Sequence, residues 1–149
     1  MMNSGWEIEK LGDLCSVITK GTTPTTLGYN FQKKGINFIK VESISEGGRF
    51  IKKKLAFINQ EAHCALKRSQ LQEKDILFSI AGAIGRTAIV NRDILPANTD
   101  QALAIIRMNS QKTILKYLYW YIRSSEFQNY SFGKIVQTAQ ANVSLSELA

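Results

Sequence analysis

Only two cysteines, Cys15 and Cys64, and a single histidine, His63, occur in 149 residues. So few thiols argue against a disulfide-built scaffold, and the expected state is two reduced cysteines in a cytoplasmic protein. A zinc site needs about four well-spaced ligands, which this set does not supply. No apolar run approaches the ~18 residues that cross a bilayer. The stretch from Met1 to Trp6 holds neither a basic leader nor the apolar core of a secretory signal. Acidic residues are scarce, 12 against 19 lysines and arginines, and they are scattered beside lysines, as in Glu73-Lys74-Asp75. A nuclease would want clustered carboxylates for Mg²⁺. Gly82-Ala83-Ile84-Gly85 lacks the spacing of a phosphate loop, and no G-x-G-x-x-G opens a helix. A methyltransferase would need a cofactor-binding glycine loop and an aromatic–proline motif for a flipped base, and neither is found. His63 and Cys64 are neighbours on an expected helix and point about 100° apart, which disfavours Cys–His catalysis. What remains is a binder.

The composition is that of a folded domain, 44% hydrophobic and 21% charged, in a chain long enough to bury a core. With no repeat, low-complexity tract or linker, a single domain over residues 1–149 is expected. The net charge is +7, and it is concentrated. Between residues 20 and 54, eight basic side chains (Lys20, Lys33, Lys34, Lys40, Arg49, Lys52, Lys53 and Lys54) face only Glu42 and Glu46, a local balance of +6. Either this is a solvated face kept for solubility, or it attracts a polyanion through steering and counterion release.

Residues 21–28, with glycines at both ends and Pro24 inside, read as a hydroxyl-rich loop. Residues 36–41 are β-branched and aromatic and read as a strand, and residues 49–59 suggest another. Asn59 is placed to cap a helix over residues 60–69 that faces Ala62, Ala65 and Leu66 inward. Residues 75–80 and 86–90 read as strands joined by a hairpin with a glycine at each bend, and residues 102–106 as a buried strand. The expected long helix is 110–128, with Ile114, Leu115, Tyr117, Leu118, Tyr121 and Ile122 on one apolar face. Its aromatics are expected in the core, apart from Tyr119 on the opposite face. Ser144-Leu145-Ser146-Glu147 is a capping box with Val143 and Leu148 as its staple. A helix starting there would be cut off, as in a truncated chain or a natural half-protein.

The order of these segments resembles the target-recognition domain of a type I restriction–modification specificity subunit. The resemblance is carried by Trp6 and Leu11-Gly12-Asp13-Leu14 ahead of Lys20-Gly21-Thr22-Thr23-Pro24, then by Ile36-Asn37-Phe38-Ile39-Lys40-Val41. Its strongest part is Leu71-Gln72-Glu73-Lys74-Asp75-Ile76-Leu77-Phe78-Ser79 running into Gly82-Ala83-Ile84-Gly85-Arg86. Asn98 and Gln101 before a strand, a helix ending near Ser124-Ser125, and Thr138-Ala139-Gln140-Ala141-Asn142-Val143-Ser144 complete it. Gln137 and Ala141 stand where such domains often carry glycine and proline.

The resemblance implies an α+β fold, a twisted and largely antiparallel sheet with hairpins and a few helices. It implies recognition of double-stranded DNA, one half-site read without catalysis. S-adenosylmethionine, ATP and Mg²⁺ would be confined to partner subunits, namely the modification subunits and through them the restriction subunit, alongside a second recognition half. Lys33, Lys34, Lys40, Lys52, Lys53 and Lys54 are phosphate candidates. Lys20, Thr22 and Thr23 either approach DNA or form a structural Thr–Pro turn. Ser79, Gly82, Gly85 and Arg86 either bring a hairpin tip to the DNA or make an ordinary turn. Asn98, Thr99 and Gln101, like Gln137, Thr138 and Gln140, either read bases, since Asn and Gln pair bidentately with adenine, or cap turns. Two rivals stay open: an RNA or single-strand module, which would need exposed aromatics with basic flanks, and a protein-interaction domain.

Overall fold

A computed structural model describes residues 8–130, so Trp6, Gln137, Thr138, Gln140 and the capping box at Ser144 lie outside the described residues. The chain order is α1 (Leu11–Leu14), β1 (Cys15–Lys20), β2 (Ile36–Ile39), β3 (Ala56–Ile58), α2 (Gln60–Ala65), β4 (Ile76–Ser79), β5 (Thr87–Ile89), β6 (Ala97–Thr99), β7 (Leu103–Met108) and α3 (Leu115–Arg123). The fold is α+β, as the resemblance implied, but built on two sheets rather than one. The larger has order β1-β7-β4-β5 and is antiparallel throughout. The smaller, β3-β2-β6, pairs β2 antiparallel with β3 and parallel with β6.

Both sheets are covered on both faces, which explains the apolar runs of the central strands β4 and β7. Successive strand residues point to opposite sides. Ile76, Phe78, Ala104 and Ile106 pack with Leu118, Ile122 and Phe127 beneath α3. Leu77, Leu103 and Ile105 turn the other way, onto Ile39 and Ala97 of the smaller sheet. Phe38 leaves that sheet's far side to meet Ile58, Ala62 and Leu66 under α2. The layers therefore run α3, larger sheet, smaller sheet, α2. Asn59 caps α2 by accepting from the Ala62 N–H at 2.8 Å, as its position predicted. Ala65 does not face inward. It is exposed at the helix end, where the chain turns away.

Three other expectations are corrected. Only Ala56–Ile58 of the segment 49–59 is strand, and Lys52–Lys54 form a 3-10 turn before it. The long helix begins at Leu115 and is interrupted at Ser124 before a second helical stretch over residues 125–130. Its buried side is Leu118 and Ile122, with Leu115 and Tyr119 partly buried beside them. Ile114, Tyr117, Trp120 and Tyr121 are exposed instead. The period was right and the phase was wrong. The Tyr119 hydroxyl sits 2.4 Å from where a side chain on Gly48 would begin, so Tyr119 packs over the loop that crosses the sheet edge.

Asp75 anchors the turn into β4. Its carboxylate, fully buried, takes two bonds from the Arg107 guanidinium of β7 at 2.7 and 2.8 Å, and one from the Gln72 N–H at 2.8 Å. This bidentate bridge closes one end of the pairing between the two central strands of the larger sheet, in the segment where the family resemblance was strongest.

Candidate nucleic-acid interface

Strand direction decides which loops meet. Lys20 at the end of β1 is opposite Ala104, and Ser79 at the end of β4 is opposite Leu103. Phe78 is opposite Thr87, the first residue of β5. The loop after β1, the turn before β7 and the β4–β5 hairpin therefore leave the same end of the larger sheet. Three strand spacings separate β1 from β5, so the row of loops is ~14 Å across, comparable with the ~12 Å width of a DNA major groove.

The smaller sheet brings its charges to the same place. β2 runs parallel with β6, with Ile39 opposite Thr99, so Lys40 emerges beside residues 99–101. Those residues hold the loop after β1. Gly21 N–H donates to the Asp100 carbonyl and Thr22 N–H to the Thr99 carbonyl, both at 3.1 Å. A side chain on Gly21 would begin 1.9 Å from the Thr99 oxygen, so only glycine allows this approach. The Ser43 hydroxyl accepts from Lys40 N–H at 3.1 Å and donates to the Lys54 carbonyl at 2.9 Å, tying the Lys52–Lys54 turn to the same corner.

The predicted site residues divide accordingly. Lys20, Lys52, Lys53, Lys54, Gly82 and Gln101 are exposed; Thr22, Thr23, Lys40 and Gly85 are half-buried. Thr23 donates its hydroxyl proton to the Gln101 side-chain oxygen at 3.1 Å. Lys40 stacks its ammonium 4.4 Å above the Phe31 ring. Lys33 and Lys34 are exposed too, but they follow Gln32, which bonds Phe57 on the outer edge of β3. Gly85 lies against Gln128, whose amide donates to its carbonyl at 3.2 Å, leaving Gly82 and Ala83 as the open tip.

Four of the candidates turn inward. Ser79 is fully buried, accepting from Arg86 N–H and donating to the Ala83 carbonyl. Arg86 is a strut, donating to the carbonyls of Ile44 at 3.0 Å and Val41 at 3.4 Å. Asn98 and Thr99 are fully buried. Thr99 donates to the Ile39 carbonyl at 2.7 Å, and the Asn98 amide donates to the Leu66 carbonyl and the Ser69 hydroxyl, with His63 on its oxygen. Base reading would require these side chains to leave satisfied buried bonds, at a cost of about 1–3 kcal/mol for each group orphaned.

Reading along the sequence also missed one residue. Arg68, exposed on the 3-10 turn Lys67–Ser69, reaches the loop after β1 and donates to the Thr22 hydroxyl at 3.0 Å.

Asp100 is the half-buried acid in this corner, with Glu42 exposed beside Lys40. Burial is the main cause that raises the Asp100 carboxyl above the ordinary range. The Ala102 N–H, 3.0 Å away, opposes the shift, Glu42 adds to it and Lys40 opposes it. A carboxyl whose folded pKa is raised stabilises the fold only while protonated, so its contribution falls as pH rises through that titration. Asp100→Asn keeps the acceptor for Ala102 and removes the charge. It should melt higher than the parent at pH 7, with the difference vanishing toward pH 4 in parallel thermal melts. Cys15 is raised to about 11 by burial, which leaves an inert thiol. Among the described residues no group of three His, Cys, Asp or Glu is placed to hold a metal, and no helix is long and apolar enough to cross a membrane.

Residues 3–149 match the family described as the type I restriction modification DNA specificity domain. The chain is 31% identical over 118 residues to the EcoBI type I restriction enzyme specificity subunit of Escherichia coli, covering 78% of this chain but 24% of that protein. Two solved structures share the fold. One, from work on complex assembly and conformational transition of the type I R-M system, has a TM-score of 0.66 at 18% identity, covering 97% of this chain and 34% of the other. The second, the HsdS subunit of Thermoanaerobacter tengcongensis, has a TM-score of 0.57 at 19% identity, covering 81% and 29%. The chain thus spans about a quarter to a third of the length of these relatives. A match over nearly every residue, together with the order of motifs around Asp75, places this chain in the family of type I restriction–modification DNA specificity domains.

Proposed function

We propose that this chain reads one half-site of double-stranded DNA for a type I restriction–modification assembly and performs no chemistry itself. One observation carries the reading: the hydroxyl loop, the Gln101 turn, the open hairpin tip and the Lys40 and Lys52–Lys54 charges all gather at one end of the paired sheets. Lys20, Lys40 and Lys52–Lys54 set register on phosphates, while Thr22, Thr23 and Gln101 face base edges. Methyl transfer and ATP-driven cleavage belong to modification and restriction subunits in the cytoplasm, and a second recognition half supplies the other half-site.

Titrating the 149-residue chain with mixed-sequence duplex at ~50 mM salt should show micromolar binding. With about five lysines engaged, log affinity should fall with log salt at a slope of about −4 to −5. No binding under those conditions overturns the proposal.

A second reading has one observation in its favour. Tyr117, Trp120 and Tyr121 are exposed, and Arg123 lies 5.9 Å from the Trp120 ring, the exposed aromatics and basic flank that single-strand binding wants. Those rings lie on α3, in the outer layer, and Arg123 is already committed to the Thr87 and Glu46 carbonyls at 3.2 and 3.1 Å. Competition should therefore favour duplex over single strand, and the reverse order would favour the second reading.

A further inference from the structure

We propose that Arg68 determines specificity by reading a guanine in the major groove, an inference that rests on the DNA-recognition reading above. The side chain is anchored at both ends. At its tip, Nη2 donates to the Thr22 hydroxyl at 3.0 Å, and the Thr22 backbone is itself fixed on the Thr99 carbonyl. At its root, the turn Lys67–Ser69 is pinned by Asn98, whose buried amide donates to the Leu66 carbonyl at 3.1 Å and the Ser69 hydroxyl at 3.0 Å. Gln70 adds a bond to the His63 carbonyl at 2.7 Å. A long side chain normally loses much rotamer freedom on binding, and here most of that ordering precedes the ligand.

One bond to Thr22 uses a single Nη2 hydrogen. The other edge of the planar group keeps two parallel donors, the pattern that matches guanine O6 and N7. Phosphates accept the same fork, but the surroundings separate the two. Lysines ring the site at Lys20, Lys40 and Lys52–Lys54, whereas Arg68 is tied to the neutral cluster of Thr22, Thr23 and Gln101. Asn98 thus serves recognition through Arg68, as a positioning residue, and Thr22 does the same from the other side.

The test is a random-duplex selection with the 149-residue chain and with Arg68→Ala, Arg68→Lys and Thr22→Val, alongside salt titrations on the selected duplex. The parent motif should contain a fixed G·C pair. Arg68→Ala and Arg68→Lys should relax that pair alone by about 5- to 150-fold in discrimination, with the salt slope and melting temperature unchanged. Thr22→Val should relax the same position less. An unchanged motif overturns the proposal, and so does a uniform loss of affinity with a slope shallower by ~0.9, which marks a phosphate contact. A parent chain that binds no duplex sinks the underlying reading instead, and with it this one.

Discussion

Arg107→Met is expected to lower stability by about 3–5 kcal/mol, because it leaves the Asp75 carboxylate buried without its cation. Asp75 has no exposed side-chain surface, while Arg107 keeps a quarter of its own. The asymmetry matters. An arginine deprived of its partner still has an outlet to water, whereas the carboxylate retains only the Gln72 N–H. Asp75→Leu alone orphans that N–H but leaves Arg107 its outlet to water, and should cost less, about 1–3 kcal/mol. The double variant, Asp75→Leu with Arg107→Met, should recover part of the loss, since a packed apolar pair replaces a charge that burial penalises. Denaturant melts of the four proteins give the coupling energy directly. Strict additivity of the two single losses would show that the bridge at 2.7 Å contributes no mutual stabilisation.

The same bridge shows why part of the fold was legible. β4, β5 and β7 are covered on both faces, so each appears in the sequence as a mostly apolar run rather than an alternating one, and the glycines of the hairpin mark its bends. Asn59 was legible because capping is a local interaction. β6 was not. Its three residues, Ala97-Asn98-Thr99, include two polar side chains, and a turn is their usual setting. They belong in a strand because their side chains answer carbonyls of Ile39 and Leu66, 60 and 32 residues away. Parallel pairing with β2 leaves no local trace. On α3 two apolar stripes compete, one through Leu115, Leu118 and Ile122 and one through Ile114, Tyr117 and Tyr121. Periodicity alone does not choose between them. Arg68 looked like any basic residue beside Lys67, and its interest lies in a contact spanning 46 positions.

Exchanging Lys52, Lys53 and Lys54 for glutamate should weaken binding to mixed-sequence duplex by at least about a hundredfold at ~50 mM salt. The salt slope should become shallower by ~2.7, as three phosphate contacts disappear. The fold should survive. These side chains are exposed and enter neither ion pair found among the described residues, and the turn is held by backbone, through the Lys54 carbonyl on Ser43 and the Lys54 N–H on Ile51. The Gln triple variant separates loss of attraction from added repulsion, and it should fall between the parent and the Glu variant. Lys10→Glu, Lys112→Glu and Lys116→Glu together are the matched control, equal in charge change: all three are exposed, Lys10 ahead of α1, Lys112 in the turn after β7 and Lys116 in the first turn of α3, at the end of the larger sheet opposite the gathered loops. Equal losses from the two sets would mean that net charge alone drives binding and that the lysine turn has no privileged place. No loss from either would favour a protein-interaction surface on this scaffold. A large loss confined to residues 52–54 ties the phosphate track to the corner where Ser43 joins Lys40, beside Thr22 and Gln101. That is the arrangement in which base-reading side chains are held in register by their neighbours on the backbone.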